Sequence, residues 1–107
     1  MTEKQSLISN AFEVFAKEAP QHAAAWSGLV QQLSAASALD KKTSALAYLA
    51  VLAALGLESG IPFHVHSARS AGATREEVIS AVLIGLPAAG HSVTRVLPQT
   101  VAAYDAE

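Results

Sequence analysis

Residues Asp40–Glu77 read DKKTSALAYLAVLAALGLESGIPFHVHSARSAGATREE, and this stretch decides the fold. From Ala45 to Leu55 the only polar side-chain atom is the Tyr48 hydroxyl, so a helix here is apolar on every side and needs enclosure. Asp40 is placed to cap its start, because a carboxylate can accept from the free N–H groups of the first turn, and Gly56 suits its end. The apolar run is too short to cross a bilayer, which takes ~20 residues. Gly56, Ser59, Gly60 and Pro62 then interrupt the pattern. Beyond them Ile61, Val65, Ala68 and Ala71 recur at helical spacing on a second helix, which carries His64 and His66 and which Gly72 terminates. Thr74 and Glu77 form a capping box that starts a third.

Outward from this stretch the helical period persists. Leu7, Ile8, Ala11, Phe12 and Phe15 predict a first amphipathic helix of about 11 to 14 residues that stops near Ala19. Pro20 fits the first turn of the next helix, where a missing N–H costs nothing, and Trp26, Leu29, Val30 and Leu33 form its expected buried stripe. After the capping box, Val78, Ile79, Val82, Leu83 and Leu86 define a core face until Pro87 and Gly90 bend or end the helix. Val93, Val96, Leu97, Val101 and Tyr104 keep the spacing through Pro98, which should kink a last helix. The expectation is one all-α domain over residues 1–107 with about six helices and no strand, linker or repeat.

Composition narrows the partners. Of 107 residues, 51% are hydrophobic and 15% charged, against roughly 25% charged in an average soluble domain. So short a chain gives up less apolar surface on folding than a larger one, and together with the all-apolar helix this predicts a homo-oligomer. The net charge is −2, and the seven basic residues are scattered singly apart from Lys41-Lys42, which leaves no electrostatic footprint for nucleic acid. Charges and amides occur in the first twenty residues where an export signal has an unbroken apolar core, so a cytoplasmic protein without a membrane partner is expected. The absence of cysteine excludes disulfides, thiolate metal sites and cysteine nucleophiles.

The order Leu-Asp-Lys-Lys-Thr at 39–43, an apolar helix, a short break, His-Val-x-x-Ala at 64–68 and Ala-Gly-Ala-Thr-Arg-Glu-Glu-Val at 71–78 resembles the carboxymuconolactone decarboxylase family, which includes the alkylhydroperoxidase D proteins. The resemblance runs from Phe12 to Tyr104 and is strongest between Leu39 and Leu86. It implies an all-helical subunit that assembles into trimers or hexamers, with the site near the start of the His-bearing helix and often close to a subunit contact. Redox members carry a glutamate, then Cys-x-x-Cys, then a histidine four residues on. The corresponding positions are Ala45, Leu57, Gly60 and His64, so only the histidine is kept. Without a thiolate, peroxide reduction by that route is chemically closed.

The decarboxylase branch has no cysteine pair and keeps the histidine. It removes carbon dioxide from a lactone dicarboxylate without a cofactor, which calls for cationic or N–H groups to hold carboxylates and an acid to protonate the resulting carbanion. The resemblance makes His64 the candidate acid/base group. Glu58, the one carboxylate in the break, is a candidate to orient it or serve as a base. The helix start from Gly60 to Phe63 offers N–H groups and a dipole to a carboxylate. His91 and Arg95, four apart on one helical face, are candidates for a second anionic contact.

Plainer readings compete. His64 lies in line with Ile61, Ala68 and Ala71 and suits a core histidine bonded to a backbone carbonyl. His66 is roughly 200° around the helix from it, by the ~100° step per residue, so the two cannot share one metal ion, and no metal or other cofactor is expected. Glu58 suits an exposed loop, and Arg69 and Arg75 suit solvated residues paired with Glu76 and Glu77. Tyr48, Phe63 and Trp26 suit cores or subunit contacts. Ser59 lacks the Gly-x-Ser-x-Gly elbow of a nucleophile. Two functions remain open: a cofactor-free lyase for a small carboxylated or lactone-like metabolite, and a noncatalytic oligomeric binding or structural protein.

Overall fold

The computed structural model describes residues 9–106, and Leu7 and Ile8 of the expected first helix lie outside that range. The protein is all-α. Among the described residues the chain forms α1 (Asn10–Glu18), α2 (Pro20–Ala36), α3 (Lys41–Leu55), a 3-10 turn (Glu58–Gly60), α4 (Ile61–Ser70), α5 (Arg75–Leu83), α6 (Leu86–Ala89), α7 (His91–Arg95) and α8 (Leu97–Asp105). These exceed six because the prolines divide what periodicity alone joins. Pro87 sits in the first turn of a separate four-residue helix. The last apolar run breaks at Val96, and Pro98 falls in the first turn of α8 rather than kinking a continuous rod.

Two compact units divide at Asp40. In the first, the Ser9 hydroxyl accepts from the Phe12 N–H at 3.1 Å and caps α1. The Phe12 ring lies 5.5 Å from the Trp26 ring of α2. The stripe expected to be buried on α2 is not: Trp26, Leu29, Val30 and Leu33 are all exposed, Leu33 at 62%. Among the described residues of its unit, α1 is the one helix beside α2, and nine residues cannot cover seventeen.

From Lys41 onward the chain builds the core. Leu49, Leu52 and Ala53 of α3 meet Ile61, Val65 and Ala68 of α4, Val78 and Val82 of α5, Val93 of α7 and Val96, all buried. Each fully buried Leu, Ile or Val contributes about 1.5–3 kcal/mol over an exposed one. Thr100 is buried too, its hydroxyl donating to the Val96 carbonyl at 2.8 Å, so its burial leaves no polar atom unmatched. Within this unit, among the described residues, the core lies against one face of α3. Tyr48, Val51 and Leu55 are exposed on the side of α3 away from that core.

Local signals fix the register around the site. At the end of α3, Leu57 N–H donates to the Leu52 carbonyl at 2.9 Å and Gly56 N–H to Ala53 at 3.1 Å, with Gly56 at φ 69°. This paired closure needs the left-handed backbone that glycine adopts without strain. The capping box forms as expected: Thr74 Oγ1 accepts from Glu77 N–H at 3.1 Å and Glu77 Oε1 from Thr74 N–H at 2.8 Å. Lys42 pairs with Glu77 at 2.9 Å and ties α3 to α5.

The carboxyl end is held by the two arginines expected to pair with Glu76 and Glu77. Arg75 instead donates to both oxygens of Asp105, at 2.9 and 3.2 Å. Arg69 donates to the Tyr104 and Ala106 carbonyls and lies 5.3 Å over the Tyr104 ring. Both reach across to α8, where exposed carbonyls at a helix end attract cations.

Candidate functional site

The break between α3 and α4 turns the chain so that the side chains of α4's first turns meet the outer face of α3. His64 is half-buried there. Its ring lies 4.6 Å from the Tyr48 ring, tilted by 49°, and 5.1 Å from the Phe63 ring, edge-on at 74°. Gly60, one turn earlier, presents no side chain: a Cβ there would sit 3.4 Å from a Leu52 methyl and 3.8 Å from His64 Cδ2. Among the described residues no hydrogen bond reaches the His64 ring nitrogens, and none joins His64 to Glu58.

This environment sets the charge of His64. Removal of water by the surrounding apolar groups lowers its pKa below the ordinary 6.5, so the imidazole is neutral at physiological pH. A neutral imidazole carries one free lone pair and one N–H. Its ground state is therefore ready to accept a proton.

The remaining candidates gather beside this ring in a different pattern from the one the spacing implied. Glu58 Oε2 accepts from Arg95 at 3.0 Å, and its other oxygen accepts from Gln99 Nε2 at 3.1 Å. Glu58 is thereby committed to α7 and α8, and Arg95 meets a carboxylate of its own chain. His91, at the first position of α7, is exposed, with Nδ1 and the Thr94 hydroxyl 2.8 Å apart. At the start of α4, Gly60 N–H donates to the Leu57 carbonyl and Ile61 N–H to Glu58, while Pro62 has none. The structure thus joins Glu58 to Arg95 and His64 to Phe63 and Gly60, as two neighbouring groups along the chain.

Tyr48 is the residue the sequence reading passed over. It is 46% exposed rather than core, and it forms one wall of the His64 site. Its hydroxyl is the only polar side-chain atom from Ala45 to Leu55, which was the available signal. Phe63, also exposed, is the second wall, and Leu57, at a family cysteine position, is exposed at the turn. His66 points to solvent, apart from His64. No group of three or more metal-ligating side chains occurs among the described residues. No described helix is long and apolar enough to cross a membrane.

An open groove of ≈ 440 Å³ lies between α3 and α5 and is lined by Leu46, Ala47, Ala50, Ala81 and Ile84 together with Glu76 and Glu77. It contains none of the candidate residues. Glu77 in its wall is occupied by the capping box and Lys42.

The family model described as Carboxymuconolactone decarboxylase family matches residues 20–100, well over half of the chain and all of the site. The chain belongs to the carboxymuconolactone decarboxylase family. No curated protein and no solved structure matches it with significance. The cysteine-free sequence is consistent with a member of the family that lacks the redox pair.

Proposed function

We propose that this member of the carboxymuconolactone decarboxylase family is a cofactor-free, cytoplasmic lyase for a small carboxylated or lactone-like metabolite, with His64 as its acid/base group. The observation that carries the reading is the setting of that ring: half-buried against the Tyr48 and Phe63 rings, its proton affinity lowered by that burial, and without a hydrogen bond from the described residues. A core histidine with a structural role spends its N–H on a protein acceptor. His64 does not. In the reaction the neutral imidazole takes a proton, and the imidazolium so formed returns one to the carbon skeleton, a role worth roughly 10²–10⁴ in rate.

The working form is a homo-oligomer, a trimer or hexamer by analogy with the family. Tyr48, Val51 and Leu55 on α3, and Leu57 and Phe63 beside the site, form an apolar surface of the kind that marks contacts between chains. A second copy seated there would close the open side of the His64 site and strengthen every polar interaction within it. The noncatalytic alternative draws its support from Arg95, which Glu58 already neutralises and which is therefore a poor carboxylate anchor.

Incubation with gamma-carboxymuconolactone and related lactones, following both carbon dioxide and loss of the lactone, decides between them. Turnover that disappears in His64→Ala is expected. Equal, buffer-like rates in the two proteins would leave only the binding role.

A further inference from the structure

Three side chains from α7 and α8 converge on the corner between α3 and α4. The Ser92 hydroxyl reaches the Ala54 carbonyl at 3.2 Å, one of the carbonyls that a helix end leaves without a partner of its own. Arg95 runs alongside Gly56, where a Cβ would stand 4.0 Å from its Nη2, and donates to Glu58 Oε2 at 3.0 Å. Gln99 donates to the other oxygen of the same carboxylate at 3.1 Å. Glu58 is thus gripped from two helices at once, while no hydrogen bond joins it to His64.

The backbone carries this grip to the imidazole. The Leu57 carbonyl accepts from the Gly60 N–H at 3.3 Å and the Glu58 carbonyl from the Ile61 N–H, so the 3-10 turn runs directly into the first turn of α4, the turn that holds His64. Gly60 borders the ring itself, since a Cβ there would lie 3.8 Å from His64 Cδ2. Any shift of the turn is passed to the ring and changes its place against Tyr48, 4.6 Å away.

We infer that Arg95 and Gln99 are positioning residues for His64: acting through Glu58, they hold the turn from which the imidazole projects toward Tyr48. This rests on the acid/base reading of His64 and assigns Glu58 to the placement of that ring, not to proton transfer. The Arg95 and Glu58 side chains are 54% and 41% exposed, and such pairs add little to global stability. Their effect on chemistry is larger, because a displacement of about 1 Å at a reacting group costs on the order of a hundredfold in rate.

The test compares Arg95→Leu, Gln99→Leu, Glu58→Ala and Glu58→Gln, with Arg75→Gln as the control that breaks the equally exposed Arg75–Asp105 pair. Far-ultraviolet dichroism and urea unfolding should place all five close to wild type. NMR then reads the His64 ring resonances, which the Tyr48 and Phe63 rings shift, and amide exchange at Gly60 and Ile61. Arg95→Leu and Glu58→Ala are expected to speed that exchange by up to about fivefold, the most that an exposed pair usually contributes, and to displace the His64 resonances. Gln99→Leu should do the same to a smaller extent. With gamma-carboxymuconolactone, kcat should fall about tenfold or more in Arg95→Leu with KM little changed. Glu58→Gln keeps the reach and an acceptor oxygen for Arg95, so it should retain most of the turnover, and Arg75→Gln should alter none of these readings. Glu58→Gln as inactive as Glu58→Ala would make the carboxylate a proton carrier and overturn the inference. Turnover that persists in Arg95→Leu with the His64 resonances and the corner amides unmoved would overturn the positioning and leave the acid/base reading standing. A His64 response in protein that turns over no lactone would uphold the tie to the ring and overturn the acid/base reading.

Discussion

Two leucines of the same helix give opposite expectations. Leu49 is fully buried among α4, α5 and the Val93–Val96 corner, whereas Leu55, less than two turns further along, is 66% exposed. Leu49→Ala removes three buried carbons and leaves a cavity, a change that costs about 2–5 kcal/mol. A unit of this size has about 3–10 kcal/mol of stability in all, so the variant should be marginal or unfolded at any concentration. Leu55→Ala in a lone chain should stay within about 0.5 kcal/mol, as exposed substitutions do. If copies dock on the outer face of α3, Leu55→Asp places a charge in a dry contact, and its effect then depends on protein concentration by mass action. Urea unfolding at low and high protein concentration, with light scattering on the same samples, separates these terms. The expected result is a concentration-independent loss for Leu49→Ala, and for Leu55→Asp a folded chain that no longer assembles. A Leu49→Ala cost below about 1 kcal/mol would refute the core assignment. An assembly unaffected by Leu55→Asp would refute the docking argument.

Three further outcomes follow from the hydrogen bonds. Thr74→Ala deletes one half of the capping box and should cost about 1 kcal/mol in chemical denaturation, with the loss recovered in large part by Thr74→Ser. Tyr104→Phe removes the 2.9 Å bond to the Ala73 carbonyl and leaves that buried acceptor unmet, which should cost about 1–3 kcal/mol. Glu77 and Asp105 have pKa values held below their ordinary 4.5 and 3.8, the first by its hydrogen bond with Lys42 and then the Thr74 N–H, the second by its hydrogen bond with Arg75. Because the folded values are the lower ones, their stabilisation is complete above about pH 4.5 and is lost as pH falls through them. Acid unfolding monitored by dichroism should show a shallower slope in Asp105→Asn, and a slope equal to wild type would argue that the Arg75 pair is loose in solution.

The helices were legible wherever the residue itself determines the backbone. Gly56, Gly72, Pro20 and the Thr74–Glu77 pair mark ends that the structure reproduces. Val65, Ala68, Val78, Val82, Val93 and Val96 are buried as their spacing implied. Burial was misread where it depends on what stands opposite. The α2 stripe has the composition of a core, but hydropathy cannot say whether the covering surface belongs to the same chain. The site shows the same limit. His64 and its place beside the break follow from sequence, yet the partners of Glu58 and Arg95 are 37 residues apart and set by how α7 crosses the end of α3, which no local spacing encodes. Tyr48 was hidden by its neighbours: in an unbroken apolar run its ring reads as filling, and only the tertiary meeting with His64 gives it a role.

The central claim is that His64 stands ready as a neutral base, and the most direct measurement is an NMR titration of its imidazole C–H resonances in the folded protein. Desolvation lowers the folded pKa, so the ring should stay uncharged down to a pH below 6.5, and lactone turnover should rise with pH through that same value and then level off. Tyr48→Ala should move the titration back toward 6.5 as water reaches the ring. A midpoint at or above 6.5 in the wild-type protein, or turnover that falls as the ring loses its proton, would contradict the account.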